Sequence, residues 1–580
     1  MCGILFSLGQ SLDPDDAHKD RIAARGPDSL QEVTRDVQRE SDTIRLRFVS
    51  SVLALRGDHV ARQPLVGKSG NVLCWNGQIF EGMDIALEQN DTEMLFQALE
   101  NRTDHTDSLL IEILATIEGP YAFVYYDRDA GTIYFARDVF GRRSLLMSYP
   151  TGSVFTVASV ASSAATRDAM EEIDCRWIWA LDIHKVKVES DKVDCSSALR
   201  KLERIPSTGS MQFDKIPTIN QSIALPEAFL PVVGARYPVT DQAYVDAFID
   251  SLAQSVKRRV ENIPPPRDGQ SRLAILFSGG VDCAFITHLA HSYVPVGEPI
   301  DLLNVAFENP RAIASAKRER EERQRTVARR RLKGKEKATD IEVKEQTTSP
   351  YDVPDRLTGR ETLEELQRIH PERDWRFVEV DVKYQECQAM RSNVLDLMYP
   401  SDTEMDLSLA LPLWFAARRH GYLDREGSRE EYKSEAKVLL SGLGADELLG
   451  GYARHRRAFE VHGWQGAIDE MQMDLDRLPF RNLGRDDRII SSHGVETRFP
   501  YLSLSLVNEL AQFPIHAKCD LRFPEGVGDK SLIRIAAEQA DLTSAASKKK
   551  RAMQFGTRSA RMEPEEGGKL RGMGAQKIKS

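Results

Sequence analysis

The sequence of 580 residues has few cysteines, no long hydrophobic run and no excess of positive charge, and each absence excludes a class of protein. The seven cysteines are scattered, odd in number and never in Cys-x-x-Cys spacing, so neither a disulfide framework nor a structural zinc site is expected. No apolar run approaches the roughly 18 residues that span a bilayer, and no basic segment followed by an apolar stretch begins the chain. We therefore expect a soluble, cytoplasmic protein without membrane contact.

Charge and composition narrow the classes further. The 88 acidic residues exceed the 78 basic ones, and the resulting net charge of -10 argues against nucleic acid as a partner of the whole molecule. The chain is 41% hydrophobic, 7% aromatic and 29% charged, which argues against a fibrous or wholly disordered protein. Its length is about four times the common domain size, so at least two domains are expected.

The order of apolar runs divides the chain into two domains. Residues 2–215 carry short β-like runs with alternating side chains and a helix over 92–100, which indicates stacked antiparallel sheets. A proline-rich connector at 216–239 follows. In 240–561, short apolar strands alternate with helical segments, as is typical of a doubly wound α/β domain. The expected strands are residues 49–55, 72–75, 122–126, 132–136 and 154–159 in the first domain, and 273–277, 302–307, 376–380 and 438–440 in the second.

One segment fits neither domain. Between Lys317 and Lys337 eleven residues are Lys or Arg and four are Glu, and no apolar face can be drawn through them. We interpret 310–350 as a solvated, partly helical or disordered insertion, because such a composition buries too little surface to offset the entropy of ordering. The alternative is a basic arm that binds RNA or a protein partner such as an import receptor. The tail at 562–580 is also expected to be unordered.

The N-terminus is the first candidate site. Removal of Met1 would leave Cys2 with a free α-amine, so one residue would hold both a nucleophilic thiol and a base. An α-amino group has a pKa of about 7.7–8.0 and can accept the thiol proton near neutral pH. An inert cytosolic thiol is the alternative.

A glycine-rich turn after the expected strand at 273–277 is the second candidate site. A hydroxyl and two glycines at a helix start direct several backbone amides to one point, which suits phosphate oxygens. Asp282 could hold the accompanying Mg²⁺. A structural turn is the alternative, and the Gly-x-x-x-x-Gly-Lys loop of common kinases is absent. The candidate nucleotide-binding residues are Ser278, Gly279, Gly280, Asp282 and Cys283.

Ordered motifs over about 150 residues resemble the class II, N-terminal-nucleophile glutamine amidotransferase domain. They begin at Cys2, Arg25, Gln63, Trp75, Asp91 and Arg137. The resemblance implies an αββα sandwich, a catalytic Cys2, and an oxyanion hole formed by Asn76 and the backbone amide of Gly77. It also implies that Asp91 binds the α-ammonium of glutamine. The family's arginine for the glutamine carboxylate is missing at its usual position, and Arg56 is the nearest substitute.

The second half resembles the ATP pyrophosphatase domain of glutamine-hydrolysing asparagine synthetases. The resemblance rests on the loop at 278–283, the segments at 441–452 and 494–502, and Lys530 to Arg534. It implies that Ser441 and Gly442 lie near adenosine, that Asp282 and Asp446 hold Mg²⁺, and that Lys530 stabilises charge on an acyl adenylate.

Together the resemblances imply that Cys2 releases ammonia from glutamine and that the ammonia attacks β-aspartyl-AMP made from aspartate and Mg-ATP. Leu443 stands where the family has a carboxylate. A carboxylate that acts as a general base contributes about 10²–10⁴-fold to the reaction rate, so its loss predicts a slow synthetase. Two alternatives stay open, a ligase for another carboxylate and a binding or regulatory protein on a decayed enzyme scaffold. The oligomeric state is not determined by the sequence.

Overall fold

The computed structural model describes eleven segments of the chain and six isolated residues. The segments are residues 2–12, 15–40, 42–102, 104–162, 170–189, 192–204, 213–223, 236–238, 241–315, 349–425 and 427–560, and the single residues are 318, 321, 322, 325, 562 and 578. Most of the basic insertion, most of the tail and part of the connector lie outside these residues. In the part that is described, no helix is both long and apolar enough to cross a membrane.

Strands dominate the first 203 residues. In chain order they are β1 (Gly3–Gly9), β2 (Ser29–Gln38), β3 (Thr43–Val52), β4 (Leu65–Val66), β5 (Val72–Gly77), β6 (Tyr121–Asp127), β7 (Thr132–Arg137), β8 (Leu146–Ser148), β9 (Thr151–Gly152), β10 (Phe155–Ala158), β11 (Met170–Glu172), β12 (Trp177–Asp182), β13 (Lys187–Glu189), β14 (Lys192–Asp194) and β15 (Leu199–Glu203). Two six-stranded antiparallel sheets run β11-β8-β10-β1-β3-β2 and β15-β12-β7-β6-β5-β4.

These two sheets form the inner layers of a sandwich. Their facing side chains, such as Phe6, Phe48, Val124 and Phe135, are fully buried in one core. Three helices cover the outer faces: α1 (Asp16–Arg25) on the first sheet, and α2 (Asp91–Glu100) and α3 (Asp107–Thr116) on the second. The expected αββα architecture is therefore confirmed.

A seven-stranded sheet organises the second half. Its strands are β16 (Leu273–Leu276), β17 (Ile300–Phe307), β18 (Trp375–Val382), β19 (His420–Arg425), β20 (Ser428–Lys433), β21 (Val438–Leu440) and β22 (Glu496–Arg498). The spatial order is β20-β19-β18-β17-β16-β21-β22. The five strands from β18 to β22 in this order are parallel, and β19 and β20 form an antiparallel hairpin at one edge.

Helices cover both faces of this sheet. They are α4 (Gln242–Val260), α5 (Val281–His291), α6 (Pro354–Ile369), α7 (Tyr384–Met398), α8 (Glu404–Ala417), α9 (Ala445–Leu449), α10 (Ala453–Arg481), α11 (Leu483–Ser491), α12 (Leu504–Gln512), α13 (Ile515–Lys518), α14 (Ser531–Gln539), α15 (Thr543–Ser547) and α16 (Met553–Gly556). Ile275 packs with α4 and α5 on one face, whereas Ala274 shares a core with α7, α8 and α11 on the other. Two-sided burial explains the wholly apolar strands β16 and β21 and confirms the doubly wound α/β prediction.

The expected strands and the observed ones differ most at residues 49–55. Strand β3 ends at Val52, and Leu53 and Leu55 are buried in the core of the second domain instead. Their apolar character therefore reflects contact between the two halves. The hairpin β19–β20 was not expected, because its charged, mostly exposed residues lack the apolar alternation of a half-buried strand.

Candidate active sites

Cys2 lies directly before β1 and is 8% exposed. Its backbone nitrogen donates to Asn76 Oδ1 at 3.0 Å, and Gln63 Nε2 donates to its Sγ at 3.8 Å. Burial raises the pKa of the Cys2 thiol, while the positive chain terminus lowers it. The Asn76 contact would orient the α-amine that Met1 removal creates, because it involves the same nitrogen atom.

The end of β5 supplies donors beside this thiol. Asn76 Nδ2 is buried and has no hydrogen-bond partner among the described residues, so it is a free donor next to Cys2. At Gly77 a Cβ would lie 2.7 Å from Pro120 O, which makes any side chain unfavourable there. A buried amide donor beside a nucleophile is the arrangement that an oxyanion hole requires.

Opposite charges lie at the far side of the same pocket. Asp91 begins α2, is 2% exposed and accepts from the Ile79 amide at 2.9 Å. Arg56 Nη1 lies 3.9 Å from Asp91 Oδ2, and Arg56 also donates to Ile79 O. Burial raises the pKa of Asp91, and Arg56 opposes this effect. Asp91 and Arg56 thus match the ammonium and carboxylate of an amino acid.

The structure brings Cys2, Arg56, Gly77 and Asp91 into one pocket, whose volume is about 20 Å³. A cavity of this size holds about one water molecule. Residues 52–56 and Gln63 are among those that line the pocket. These two segments would have to move apart to admit an amino acid.

The second candidate site begins where β16 ends. Residues 277–280 connect β16 to α5, and Gly280 is the N-cap residue of that helix. Gly279 has φ +77°, and a Cβ there would lie 2.5 Å from Thr358 O, so the turn requires glycine. Cys283 Sγ lies 3.6 Å from Ser278 Oγ. The turn opens into a cavity of about 660 Å³. We call it the nucleotide cavity, after the ligand that the sequence predicts for the turn.

Two carboxylates from separate loops meet at one lysine in this cavity. Lys530 Nζ lies 2.8 and 2.9 Å from the oxygens of Asp282 and 3.0 Å from Asp446 Oδ1, and Lys550 also pairs with Asp446. Burial would lower the pKa of Lys530, but the two carboxylates raise it above its usual range. Burial would raise the pKa of Asp446, but the two lysines hold it well below its usual range. Two carboxylates converging on one cation fit a divalent metal ion.

The remaining predicted residues line the same cavity. Strand β21 ends at Leu440, and Ser441 and Gly442 follow it. A Cβ on Gly442 would lie 3.1 Å from Asp282 Cβ, so the two loops are in close contact. Leu443 also lines the cavity, and its side chain packs against the second domain's core.

Buried ion pairs join the two sites. Arg25 pairs with Asp487 at 2.7 Å, and Arg143 pairs with Glu496 at 3.1 Å and donates to Thr497 O. Thr497 lines the nucleotide cavity, and Glu496 is close enough to Cys2 to raise the pKa of its thiol. Arg143 Nε and Thr497 Oγ1 are buried without a hydrogen-bond partner in the described part of the chain. Such atoms normally contact ordered water, so the region between the sites is polar.

Sequence reasoning did not single out Gln63, Lys550 or Asp355 as site residues. Gln63 contacts the Cys2 thiol, Lys550 contacts Asp446, and Asp355 lines the nucleotide cavity. Gln63 begins a segment that resembles the family, but the side-chain contacts of all three residues join positions far apart in the sequence.

An N-terminal-nucleophile fold joined to a doubly wound α/β domain is the architecture of an asparagine synthetase-like amidotransferase. A family model described as a glutamine amidotransferase domain matches residues 51–165, and one described as asparagine synthase matches residues 427–469.

Curated relatives match almost the whole chain. The chain is similar to asparagine synthetase domain-containing protein 1 of Bos taurus (34% identity, 97% of this chain and 96% of the relative) and of Gallus gallus (35%, 97% and 98%). It is also similar to asparagine synthetase domain-containing protein YML096W of Saccharomyces cerevisiae (31%, 93% and 88%). The chain therefore belongs to the family of asparagine synthetase domain-containing proteins, and the resemblance found in the sequence is confirmed.

Proposed function

We propose that the protein is a glutamine-dependent, ATP-consuming amidotransferase that forms asparagine from aspartate. The observation that carries the proposal is the convergence of Asp282, Asp446 and Lys530 in a cavity large enough for a nucleotide. The turn at 278–280, whose amides can bind phosphate, lines the same cavity. The Cys2 pocket supports an internal source of ammonia.

Glutamine hydrolysis begins with transfer of the Cys2 thiol proton to its own α-amine. The thiolate attacks the side-chain carbonyl of glutamine, and Asn76 Nδ2 and the Gly77 amide stabilise the oxyanion. The tetrahedral intermediate collapses, the proton passes to the leaving nitrogen, and ammonia departs. Water then hydrolyses the thioester and yields glutamate. Asp91 and Arg56 bind the ammonium and carboxylate of glutamine throughout.

In the second site the carboxylate of aspartate attacks the α-phosphorus of ATP, and pyrophosphate leaves. The amides of the turn at 278–280 bind phosphate oxygens, and Ser441 and Gly442 contact the nucleoside. Mg²⁺ held by Asp282 and Asp446 would neutralise the pyrophosphate. Lys530 stabilises negative charge as the acyl adenylate forms and as ammonia displaces AMP.

A second candidate function is supported by Leu443. Leucine cannot accept a proton from the attacking ammonia, and it makes the cavity wall less polar than a carboxylate would. This favours a ligase that uses a carboxylate other than aspartate and a slow reaction with aspartate itself.

One reaction mixture separates these functions. Met1-processed protein is incubated with Mg-ATP, aspartate and either glutamine or ammonium chloride, and glutamate, pyrophosphate and asparagine are measured together. Asparagine with equimolar pyrophosphate supports the proposal. Glutamate with no asparagine favours another acceptor, and no product from either nitrogen source contradicts an enzymatic function.

A further inference from the structure

A buried carboxylate in the wall of the nucleotide cavity has no part in the mechanism above. Asp355 lies in the first turn of α6, and the residue is 6% exposed. It lines the cavity together with Asn304 and Gln554. No hydrogen bond or ion pair to its carboxylate is formed by the described residues. Buried carboxylates are normally paired, so this one is suited to accept hydrogen bonds from a ligand.

The carboxylate packs against the C-terminal segment of the second domain. A Cβ on Gly556 would lie 2.0 Å from both Asp355 oxygens, so a side chain at residue 556 would force the carboxylate to shift. Burial raises the pKa of Asp355 to about 7, although Arg551 and Lys550 lower it. Arg551 and Lys550 are the charged neighbours that act on this carboxylate.

The position of Asp355 is fixed relative to the phosphate-binding turn. Asn304 Nδ2 donates both to Phe277 O at 2.8 Å and to Asp355 O at 2.9 Å. Thr362 of the same helix donates to Gly279 O at 2.8 Å. These three hydrogen bonds hold the start of α6 against the turn, so the carboxylate and the turn face the same cavity from adjoining positions.

The ribose is the part of a nucleotide that would lie beside a residue next to the phosphate-binding turn. Asn304 alone bridges the backbone of Phe277 and that of Asp355, so Asp355 lies one asparagine side chain from the turn that begins the phosphate site. In a nucleotide the ribose follows the phosphates directly and the base lies beyond it. Ribose hydroxyls are hydrogen-bond donors, and an acidic residue accepts from them in dinucleotide-binding folds.

We propose that Asp355 accepts hydrogen bonds from the ribose hydroxyls of the nucleotide and so selects ribonucleotides over deoxyribonucleotides. The inference rests on the proposed use of ATP and adds a residue that determines specificity. In its ionised form Asp355 would contribute about 1.5–3 kcal/mol through such a charge-assisted hydrogen bond, which corresponds to roughly 10- to 100-fold in affinity.

The test is direct nucleotide binding by the full chain, measured by calorimetry with ATP, 2′-deoxy-ATP and 3′-deoxy-ATP. The wild-type protein is expected to bind ATP at least about tenfold more tightly than one of the deoxy analogues. Asp355→Ala is expected to weaken ATP binding about 10- to 100-fold and to leave the binding of that analogue almost unchanged. Asp355→Asn serves if the alanine variant does not fold, with a smaller loss of discrimination.

Asp374→Ala is the matched control, because Asp374 is an exposed carboxylate of the same domain that pairs with Arg376 outside the cavity. Equal loss of all three nucleotides in the Asp355 variant, or no discrimination by the wild-type protein, would overturn the inference and leave the proposed function standing. Absence of ATP binding by the wild-type protein would overturn both.

Discussion

The pocket beside Cys2, which we call the glutamine pocket after its predicted ligand, and the nucleotide cavity differ in volume and in how their charges are paired. The glutamine pocket has a volume of about 20 Å³, and its opposed charges, Arg56 and Asp91, lie 3.9 Å apart. The nucleotide cavity has a volume of about 660 Å³, and Lys530 contacts both Asp282 and Asp446. In the first pocket the two charges thus pair with each other, whereas in the second cavity the two carboxylates pair with Lys530 and Lys550.

The largest expected effect comes from removal of the nucleophile, which should abolish the activity of one site and leave that of the other unchanged. Cys2→Ala is expected to reduce glutaminase activity by at least about a thousandfold, because no other group can form the thioester. Ammonium-dependent formation of asparagine should be unchanged, because the nucleotide cavity shares none of the Cys2 chemistry. The measurements are glutamate release from glutamine and asparagine formation from ammonium chloride.

Cys283→Ser is the control for this change, since it alters a cysteine of the other site and should leave glutamate release intact. Residual glutaminase activity in Cys2→Ala above about one per cent of wild type would contradict the assignment of the nucleophile.

A second experiment removes the cation that joins Asp282 and Asp446. Lys530→Met is expected to lower pyrophosphate release by about 10²–10⁴-fold and to leave glutaminase activity unchanged. It should also destabilise the protein, because two carboxylates in contact with one lysine would face each other without it. Mg²⁺ should then raise the Tm of Lys530→Met more than that of wild type, because it can replace the missing charge.

Lys518→Met is a matched control, since Lys518 is a buried lysine of the same domain whose Nζ donates to Leu510 O away from the cavity. An equal response of both variants to Mg²⁺ would show that Asp282 and Asp446 do not form the metal site.

The sequence predicted both folds and most of the candidate site, because those features are local. Short apolar strands with two-sided burial and a Ser-Gly-Gly turn at a helix start can be recognised from a few consecutive residues. The contacts of Gln63 and Asp355 cannot be recognised in this way, because they join segments far apart in the chain.

The limits of sequence reasoning are clearest at Arg56 and Lys530. The sequence identified Arg56 as a substitute for a missing arginine, but only the folded chain shows it beside Asp91. Similarly, Lys530 matched a family position, yet its simultaneous contact with two carboxylates depends on how three loops meet. Local patterns therefore predict which residues are present at a site, and the tertiary structure determines how their charges are paired.

The third prediction tests whether Arg56 acts on glutamine. Arg56→Leu is expected to raise KM for glutamine about 10- to 100-fold, because it removes the cation opposite the substrate carboxylate. Ammonium-dependent activity should not change. The exposed neighbour Arg62 supplies the control as Arg62→Leu, and an equal KM increase in both variants would contradict a specific role for Arg56.

The smallest expected effect contrasts histidines of the two domains. Burial lowers the pKa of His288 and of His291 to about 4, with neighbouring His370 contributing. Their folded pKa lies below the unfolded value of about 6.5, so protonation favours the unfolded state and stability falls as pH decreases from about 6.5 towards 4. In the first domain, hydrogen bonds to Asp58 and Glu93 raise the pKa of His59, so its stabilising effect is present in acid and is lost as pH rises through the folded pKa.

The two histidine sites should therefore respond to acid with opposite signs. His288→Gln is expected to raise the free energy of unfolding more at pH 5 than at pH 8. His59→Gln is expected to lower it more at pH 5 than at pH 8. The His59 effect should be the smaller of the two, because exposed ion pairs contribute about 0–1 kcal/mol. Urea unfolding at both pH values measures the difference, and a change of the same sign in both variants would show that burial does not control the protonation of His288.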